Sequence, residues 1–232
     1  MIDFHSHILP CVDDGSSSLE MSLSMLEAEK EHGVRTVIAT PHFYAVQDTP
    51  EQFLQRRKEA AEMLQAALKD RPELPQVLLG AEVAYFRGMS SCEVLWDLRI
   101  ADTNYVLIEP PLAPWDSNVF KELQELPNRQ NLFPIIAHVD RYLMPFWWKK
   151  MMKQLDKMAV VRQFNASFFL GSRAKLAHKL MEEGKINLLG SDCHDLSGRA
   201  PNLGALRQLL SEEDLSFIRS CQQMVLDEED EA

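Results

Sequence analysis

Histidines and carboxylates in this chain fall at the ends of apolar runs, where several could share a metal ion. MIDFHSHILPCVDDG opens with His5 and His7 one residue apart, then Asp13 and Asp14 before Gly15. ATPH supplies His42, LLGAE supplies Glu82, VLIE supplies Glu109, IIAH supplies His138, and LLGSDCH supplies Asp192 and His194. Each alone has an ordinary reading. Alternate strand residues share a face for packing reasons too. A lone glutamate is a strand-end charge, the two aspartates suit a turn, and Ser16 to Ser18 suit a helix cap. Jointly they sort by position: five of the seven histidines stand at such ends. The other two are His32, near a helix C-terminus, and His178, within a helical stretch.

Imidazole and carboxylate donors without an evident thiolate suit Mn, Fe, Zn or Mg, whereas structural zinc more often uses several cysteines. Counting Asp14, the donors are His5, His7, Asp14, His42, Glu82, Glu109, His138, Asp192 and His194. These exceed what one ion of about four to six ligands takes, so two or three metals sharing a bridging carboxylate are expected. Such centres activate water and stabilise attacking and leaving oxygens, which points to hydrolysis. Arg141 in AHVDRY and Arg199 in HDLSGR add guanidinium groups beside the donors, suited to phosphate oxygens.

To gather these residues, the chain must bring distant strand ends together. Candidate strands lie at 2 to 5, 35 to 40, 76 to 82, 105 to 109, 133 to 138, 159 to 166 and 186 to 192, and six of these seven end in a potential ligand. Helical periods lie between them, as in SSLEMSLSMLEAEKEHG and at 50 to 70, 116 to 126, 144 to 158, 172 to 183 and 202 to 225. This alternation gives an open doubly wound sheet or a closed barrel. The first strand runs into HSHILP, not a Gly-rich turn, and a barrel collects all C-terminal strand ends on one rim.

With 232 residues, 46% of them hydrophobic, and no Gly/Ser linker, a single α/β domain over 1–232 is expected, ending in a solvated acidic tail from about 227 to 232. A net charge of −11 disfavours nucleic acid and anionic membrane as partners. No apolar run approaches the roughly 18 residues of a membrane span. Four scattered cysteines without a CxxC pair suit a reducing compartment, so a cytoplasmic location is expected.

From MIDFHSHILPCVDDGS through ATPHF, GAEV, LIE, AHVDRY and GSDCHDLSGR, the sequence resembles the PHP (polymerase and histidinol phosphatase) superfamily. Within it, the chain is similar to the bacterial metal-dependent protein-tyrosine phosphatases of capsule and exopolysaccharide synthesis. The resemblance implies a distorted seven-stranded (β/α) TIM-like barrel with a trinuclear centre. It implies that His5, His7, Asp14, His42, Glu82, Glu109, His138, Asp192 and His194 are metal ligands, with Glu109 a bridge. Arg141 and Arg199 become the phosphate-binding catalytic arginines, and a metal-activated water hydrolyses phosphotyrosine. Mn or Fe is the expected metal. The implied partner is a phosphotyrosine protein, with a bacterial tyrosine kinase among the candidates and a homo-oligomer left open. Two departures stand out: Ala81, where the family often has Asn, and Cys11, where glycine is common.

Rival readings remain. CHDLSGR satisfies the C-x5-R spacing of cysteine-dependent phosphatases, with Cys193 as nucleophile and Arg199 as anion holder. The same metals could serve a small phosphomonoester such as histidinol phosphate, or a phosphodiester, and the chain could be a non-catalytic metal-loaded subunit. Asp195 is near enough to be asked about as a general acid. RYLMPFWWKKMMKQL sets Tyr142, Phe146 or Trp147 beside an aromatic leaving group, or else in a helix core or subunit contact.

Overall fold

The computed structural model describes residues 1–226, so the acidic tail expected from about 227 lies outside the described residues. Strands and helices alternate: β1 (Ile2–Ser6), α1 (Leu19–Glu31), β2 (Thr36–Ala39), β3 (His42–Phe43), α2 (Pro50–Leu68), β4 (Gln76–Leu79), β5 (Glu82–Ala84), β6 (Tyr105–Glu109), α3 (Ser117–Gln130), β7 (Phe133–Ile136), α4 (Trp148–Leu155), β8 (Val161–Asn165), α5 (Ser167–Leu170), α6 (Ala174–Glu182), β9 (Leu188–Gly190), α7 (Leu206–Leu209) and α8 (Glu212–Leu226). Local chemistry sets the helix starts. Ser18 accepts a hydrogen bond from the Met21 amide at the head of α1, Thr49 and Gln52 form a capping box ahead of Pro50, and Asp116 accepts from the Asn118 and Val119 amides.

All strand pairs are parallel, and they form a three-stranded sheet, β1-β2-β4, and a six-stranded sheet, β3-β5-β6-β7-β8-β9. The ladders therefore do not reproduce the seven-stranded barrel expected from the resemblance. The reason is local. Thr40-Pro41 interrupts one strand path and Gly80-Ala81 the next, so that 76 to 82 yields two short strands. Backbone bonds persist across both breaks, from Gly80 N–H to Ala39 C=O (2.9 Å) and from Glu82 N–H to Pro41 C=O (3.0 Å). The sheet curls until β1 runs beside the segment after β9, where His7 N–H donates to Cys193 C=O at 2.9 Å and Asp192 N–H to His5 C=O at 2.8 Å. A Cβ on Gly190 would come within 2.6 Å of the His5 Cβ, so this close approach requires glycine.

Strand parity decides what lies under the cleft. Leu107 shares a face with Glu109 two residues on, and it packs with Phe4, Ile38, Ile135 and Leu188 in the smaller of two apolar clusters. Val106, Ile108 and Ile136 belong to the larger one, together with residues of the surrounding helices. The expected helix from 144 begins only at Trp148, because Pro145 and a left-handed Phe146 (φ 67°) precede it. The expected helix over 202 to 225 divides into α7 and α8, with Leu210 extended between them. No helix among the described residues is long and apolar enough to cross a membrane.

One buried helix residue makes stability depend on pH. Glu29 of α1 lies against Asp3 and Cys193, all fully buried, and Asp3 accepts from the His5 and Ser191 amides and from the Ser191 hydroxyl. Burial first, and then the Asp3 charge, push the Glu29 carboxyl far above its ordinary range. The folded chain thus retains a proton that the unfolded chain releases. The resulting stability is present at low pH and is lost progressively as pH rises above the ordinary glutamate value of 4.5. Glu29→Gln keeps a donor but cannot ionise. In melting curves it is expected to flatten the decline between pH 6 and 9, gaining about 2–4 °C at pH 9 for each kcal/mol recovered; parallel curves for both proteins would exclude this account.

Candidate metal centre

All nine expected donors meet on one rim, His42 and Glu82 from the starts of the short strands β3 and β5 that continue β2 and β4, the others from C-terminal strand ends and the loops that follow them. The Oε2 atom of Glu82, at the start of β5, lies 3.1 Å from His5 Nε2, 3.4 Å from His7 Nε2 and 3.0 Å from His42 Nδ1. Its Oε1 lies 2.8 Å from His138 Nε2, which is also 3.3 Å from Glu109. Asp192 Oδ1 is 3.5 Å from His7 Nε2 and 3.7 Å from His5 Nε2. Asp14, mostly exposed, has Oδ1 3.6 Å from Nε2 of both His42 and His194. Three overlapping groups, His7-Asp14-His42-His194, His5-His7-Asp192 and His42-Glu82-Glu109, each hold their ligand atoms within 4.8 Å of one another.

The two aspartates of the opening motif take different places. Asp13 Oδ2 accepts from His7 Nδ1 at 2.7 Å and from the His42 amide at 2.9 Å, while Oδ1 accepts from the Gly15 amide. Asp13 thereby fixes the His7 ring so that Nε2 turns to the cleft, an outer-sphere role typical of ligand histidines. The loop folds back tightly: Ser16 N–H donates to His7 C=O, and Cys11 holds φ at 59°, in the left-handed region that glycine adopts without cost. Two other rings are fixed likewise. His5 Nδ1 pairs with Gln163 Oε1 at 3.2 Å, and His194 Nδ1 with Asp192 C=O at 3.0 Å.

The donor set fits divalent cations. Glu82 Oε2, His42 Nδ1 and His194 Nε2 are buried with no hydrogen-bond partner, although three imidazole nitrogens crowd that one glutamate oxygen. Lone pairs that converge without bonding one another suit an ion better than protons. The protonation balance agrees. Burial opposes charge on His7, but its hydrogen bond to Asp13 and the nearby carboxylates of Asp192 and Glu82 raise it well above the ordinary imidazole value. Burial likewise opposes charge on His138, yet Glu109 and Glu82 raise it to about 9. Burial would raise Glu82 and Asp192, yet the surrounding imidazoles, with Arg141 for Asp192, hold both well below the carboxylate range. Protons on imidazole therefore balance the carboxylates in the protein alone, and a cation would displace them. His194, by contrast, is pushed down to about 4 by burial, His7 and Arg199, and already has the neutral form a ligand needs.

Arg141, in the 3-10 turn Val139–Tyr142 after β7, directs Nη2 at Asp192 Oδ2; Arg199 directs Nη2 at Asp192 Oδ1, 2.9 Å away. Both guanidiniums thus border the cleft. Asp195 instead folds its own loop, accepting from the Ser197 and Arg199 amides, bonds that hold its carboxyl below the ordinary range. Gln163 and Asn165 of β8 were not expected at the site. Gln163 Oε1 accepts from the His138 amide at 2.6 Å, and Asn165 Nδ2 donates to Asp192 Oδ2 at 2.9 Å. A signal exists in the sequence: of the seven candidate strands, 159 to 166 alone lacks an ionisable residue at its end, and these amides alternate on the face turned to the site.

Cys193 does not have the setting of a nucleophile. It is fully buried, its Sγ lies 3.8 Å from Glu29, and burial with the neighbouring Asp3 charge pushes the thiol far up. Cys193→Ser is expected to keep turnover within about threefold, while chelation abolishes it. Assay of both would return the opposite pattern if covalent cysteine catalysis operated.

A curled parallel sheet that gathers imidazoles, carboxylates and guanidiniums on one rim is a site of the barrel-hydrolase type. The chain belongs to the family described as capsular polysaccharide synthesis, CpsB/CapC, whose model matches residues 1–215. It is similar to tyrosine-protein phosphatase YwqE of Bacillus subtilis, 30% identical over 214 residues that cover 86% of this chain and 79% of that protein. Tyrosine-protein phosphatase CpsB of Streptococcus agalactiae serotype V is 28% identical over 221 residues, covering 90% and 89%. Among solved structures, one of the crystal structures described as YwqE from Bacillus subtilis and CpsB from Streptococcus pneumoniae, unique metal-dependent tyrosine phosphatases, shares the fold with a TM-score of 0.80, 24% identity and coverage of 96% and 93%.

Proposed function

We propose that the chain, as one PHP-type phosphatase domain over 1–232 with a distorted barrel of seven strand paths, is a metal-dependent protein-tyrosine phosphatase acting in capsule or exopolysaccharide synthesis. One observation carries this reading: two guanidiniums meet a single carboxylate beside three overlapping donor groups. Paired arginines aimed at one anionic point suit the non-bridging oxygens of a phosphate monoester. Relatives that carry the tyrosine-protein phosphatase name align with most of the chain.

His5, His7, Asp14, His42, Glu82, Glu109, His138, Asp192 and His194 would hold two or three divalent ions, Mn or Fe by ligand type, with Zn or Mg as alternatives. When bound, such ions supply a nucleophile at neutral pH and Lewis-acid stabilisation of the transferring phosphoryl group. Arg141 and Arg199 orient the phosphate and stabilise its equatorial oxygens. Asp13 and Gln163 keep the His7 and His5 rings turned to the cleft. A phenolate leaving group, with a reference pKa of about 10, needs less protonation than an alkoxide, consistent with a cleft in which Asp195 is committed to its loop. The deciding experiment is a metal-dependence series on phosphotyrosine peptide, phosphoserine peptide and histidinol phosphate, with elemental analysis of the same preparation. Mn- or Fe-dependent preference for phosphotyrosine is expected. Preference for histidinol phosphate overturns the substrate, and no bound metal with no rescue by Mn overturns the centre.

A further inference from the structure

Two lysines and three aromatic rings frame a groove that lies a short way from the cleft and has no part in holding phosphate or metal. The groove, of about 320 Å³, runs between α3 and α4 and is lined by Trp115, Phe120 and Trp147 with Lys121 and Lys150. Buried rings link its aromatic wall to the metal centre through the interior. The His138 ring is 5.8 Å from Tyr142, Tyr142 is 5.1 Å from Trp115, and Trp115 is 5.5 Å from Trp147. The Tyr142 hydroxyl donates to Pro110 C=O, which ties the two loops that carry this wall.

Three observations single the groove out. First, in a chain of net charge −11 it presents two ammonium groups: Lys150 has no ion partner among the described residues, and Lys121 has only Glu125 at 3.8 Å. Second, the same two loops leave Leu112 and Phe146 exposed to solvent, Phe146 fully so. Third, Phe146 holds φ at 67°, a strained conformation for a bulky residue, directly before Trp147.

We infer that this groove is an exosite for the substrate polypeptide itself, taking an aromatic side chain flanked by acidic residues a few positions from the phosphotyrosine. The inference rests on the phosphatase reading for its substrate and on the groove for its chemistry. Aromatic walls take an aromatic side chain, lysines take carboxylates, and the surrounding acidity of the molecule repels acidic segments elsewhere. Ring steps of 5.8, 5.1 and 5.5 Å through the buried Tyr142 and Trp115 place Trp147 no farther than about 16 Å from His138, a separation that roughly five extended residues at about 3.3–3.6 Å each can cover.

The test compares three substrates with the metal-loaded full chain: a phosphotyrosine peptide with acidic residues and a phenylalanine up to five positions away on both sides, the same peptide with glutamine and alanine there, and p-nitrophenyl phosphate. Lys121→Glu/Lys150→Glu is expected to lower kcat/KM for the acidic-aromatic peptide about tenfold, chiefly through KM, while p-nitrophenyl phosphate stays within about twofold. Trp147→Ala should lose the preference for phenylalanine, with p-nitrophenyl phosphate turnover reporting an intact fold. Equal rates on both peptides, or equal losses on all three substrates, overturn the exosite. If no aryl phosphate is turned over, the phosphatase reading fails separately. Binding of the unphosphorylated acidic-aromatic peptide, followed by tryptophan fluorescence, then decides the groove: affinity weakened by the lysine reversals supports it, and no binding or unchanged affinity overturns it.

Discussion

Glu82→Gln is expected to lower aryl-phosphate turnover by about a thousandfold and to strip metal from the purified protein. Glu82 is the point on which His5, His7, His42 and His138 converge, and both of its oxygens face imidazole nitrogens within 3.4 Å. The amide keeps the shape but removes the charge and one of two acceptors. An ion that loses such a ligand also loses the charge balance which made its site favourable, because buried cations need paired carboxylates. Metal participation supplies several kcal/mol of transition-state stabilisation, and losing about 4 kcal/mol corresponds to the thousandfold fall. The fold should persist, since the imidazoles can shed the protons that the glutamate charge now favours. Circular dichroism, elemental analysis and turnover on one preparation test this. A folded glutamine variant that keeps full metal content and more than a tenth of the activity would remove Glu82 from the centre.

How far the sequence revealed this arrangement depended on backbone regularity. Glu109 ends β6 in ordinary strand geometry and shares a face with Leu107 two residues back, so its position at the end of VLIE also carries its side-chain direction. His138 and Asp192 were found by their positions after apolar runs, but their φ values of 29° and 54° take both out of strand geometry. Side-chain direction at those two residues therefore could not be read from alternation. The stretches 35 to 40 and 76 to 82 read as single strands because Thr40-Pro41 and Gly80-Ala81 interrupt pairing for only two residues each. Gln163 and Asn165 escaped notice because neutral amides carry no charge signature; their importance lies in contacts with His138 and Asp192, 25 and 27 residues away. Nothing local marks Glu29 within its charged helical stretch, and only the packing of α1 on β1 and the segment after β9 makes it a buried acid. Local pattern located the candidate donors, while long-range packing decided what orients them.

Arg141→Ala is expected to reduce kcat/KM on phosphotyrosine peptide about a hundredfold while leaving metal content unchanged. The side chain reaches Asp192 Oδ2 and lies 3.9 Å from Glu109, so it borders the donor groups without offering them a ligand atom. A guanidinium beside an entering phosphate stabilises charge that grows in the transition state. Removing one preorganised donor of this kind costs about 10²–10³ in rate. Arg199, 2.9 Å from the other Asp192 oxygen, should behave alike. Because both arginines act on one carboxylate and one phosphate, the double variant should lose less than the product of the single losses. Lysine at 141 should restore only part of the activity, since a point charge cannot reproduce the planar, two-pronged donor set. Inhibition by inorganic phosphate gives an independent reading: its Ki should rise in each arginine variant but change little in Cys193→Ser. Arginine variants with normal metal content and unaltered phosphate affinity would leave Arg141 and Arg199 as partners of Asp192 alone, holding a ligand in place and never meeting the substrate.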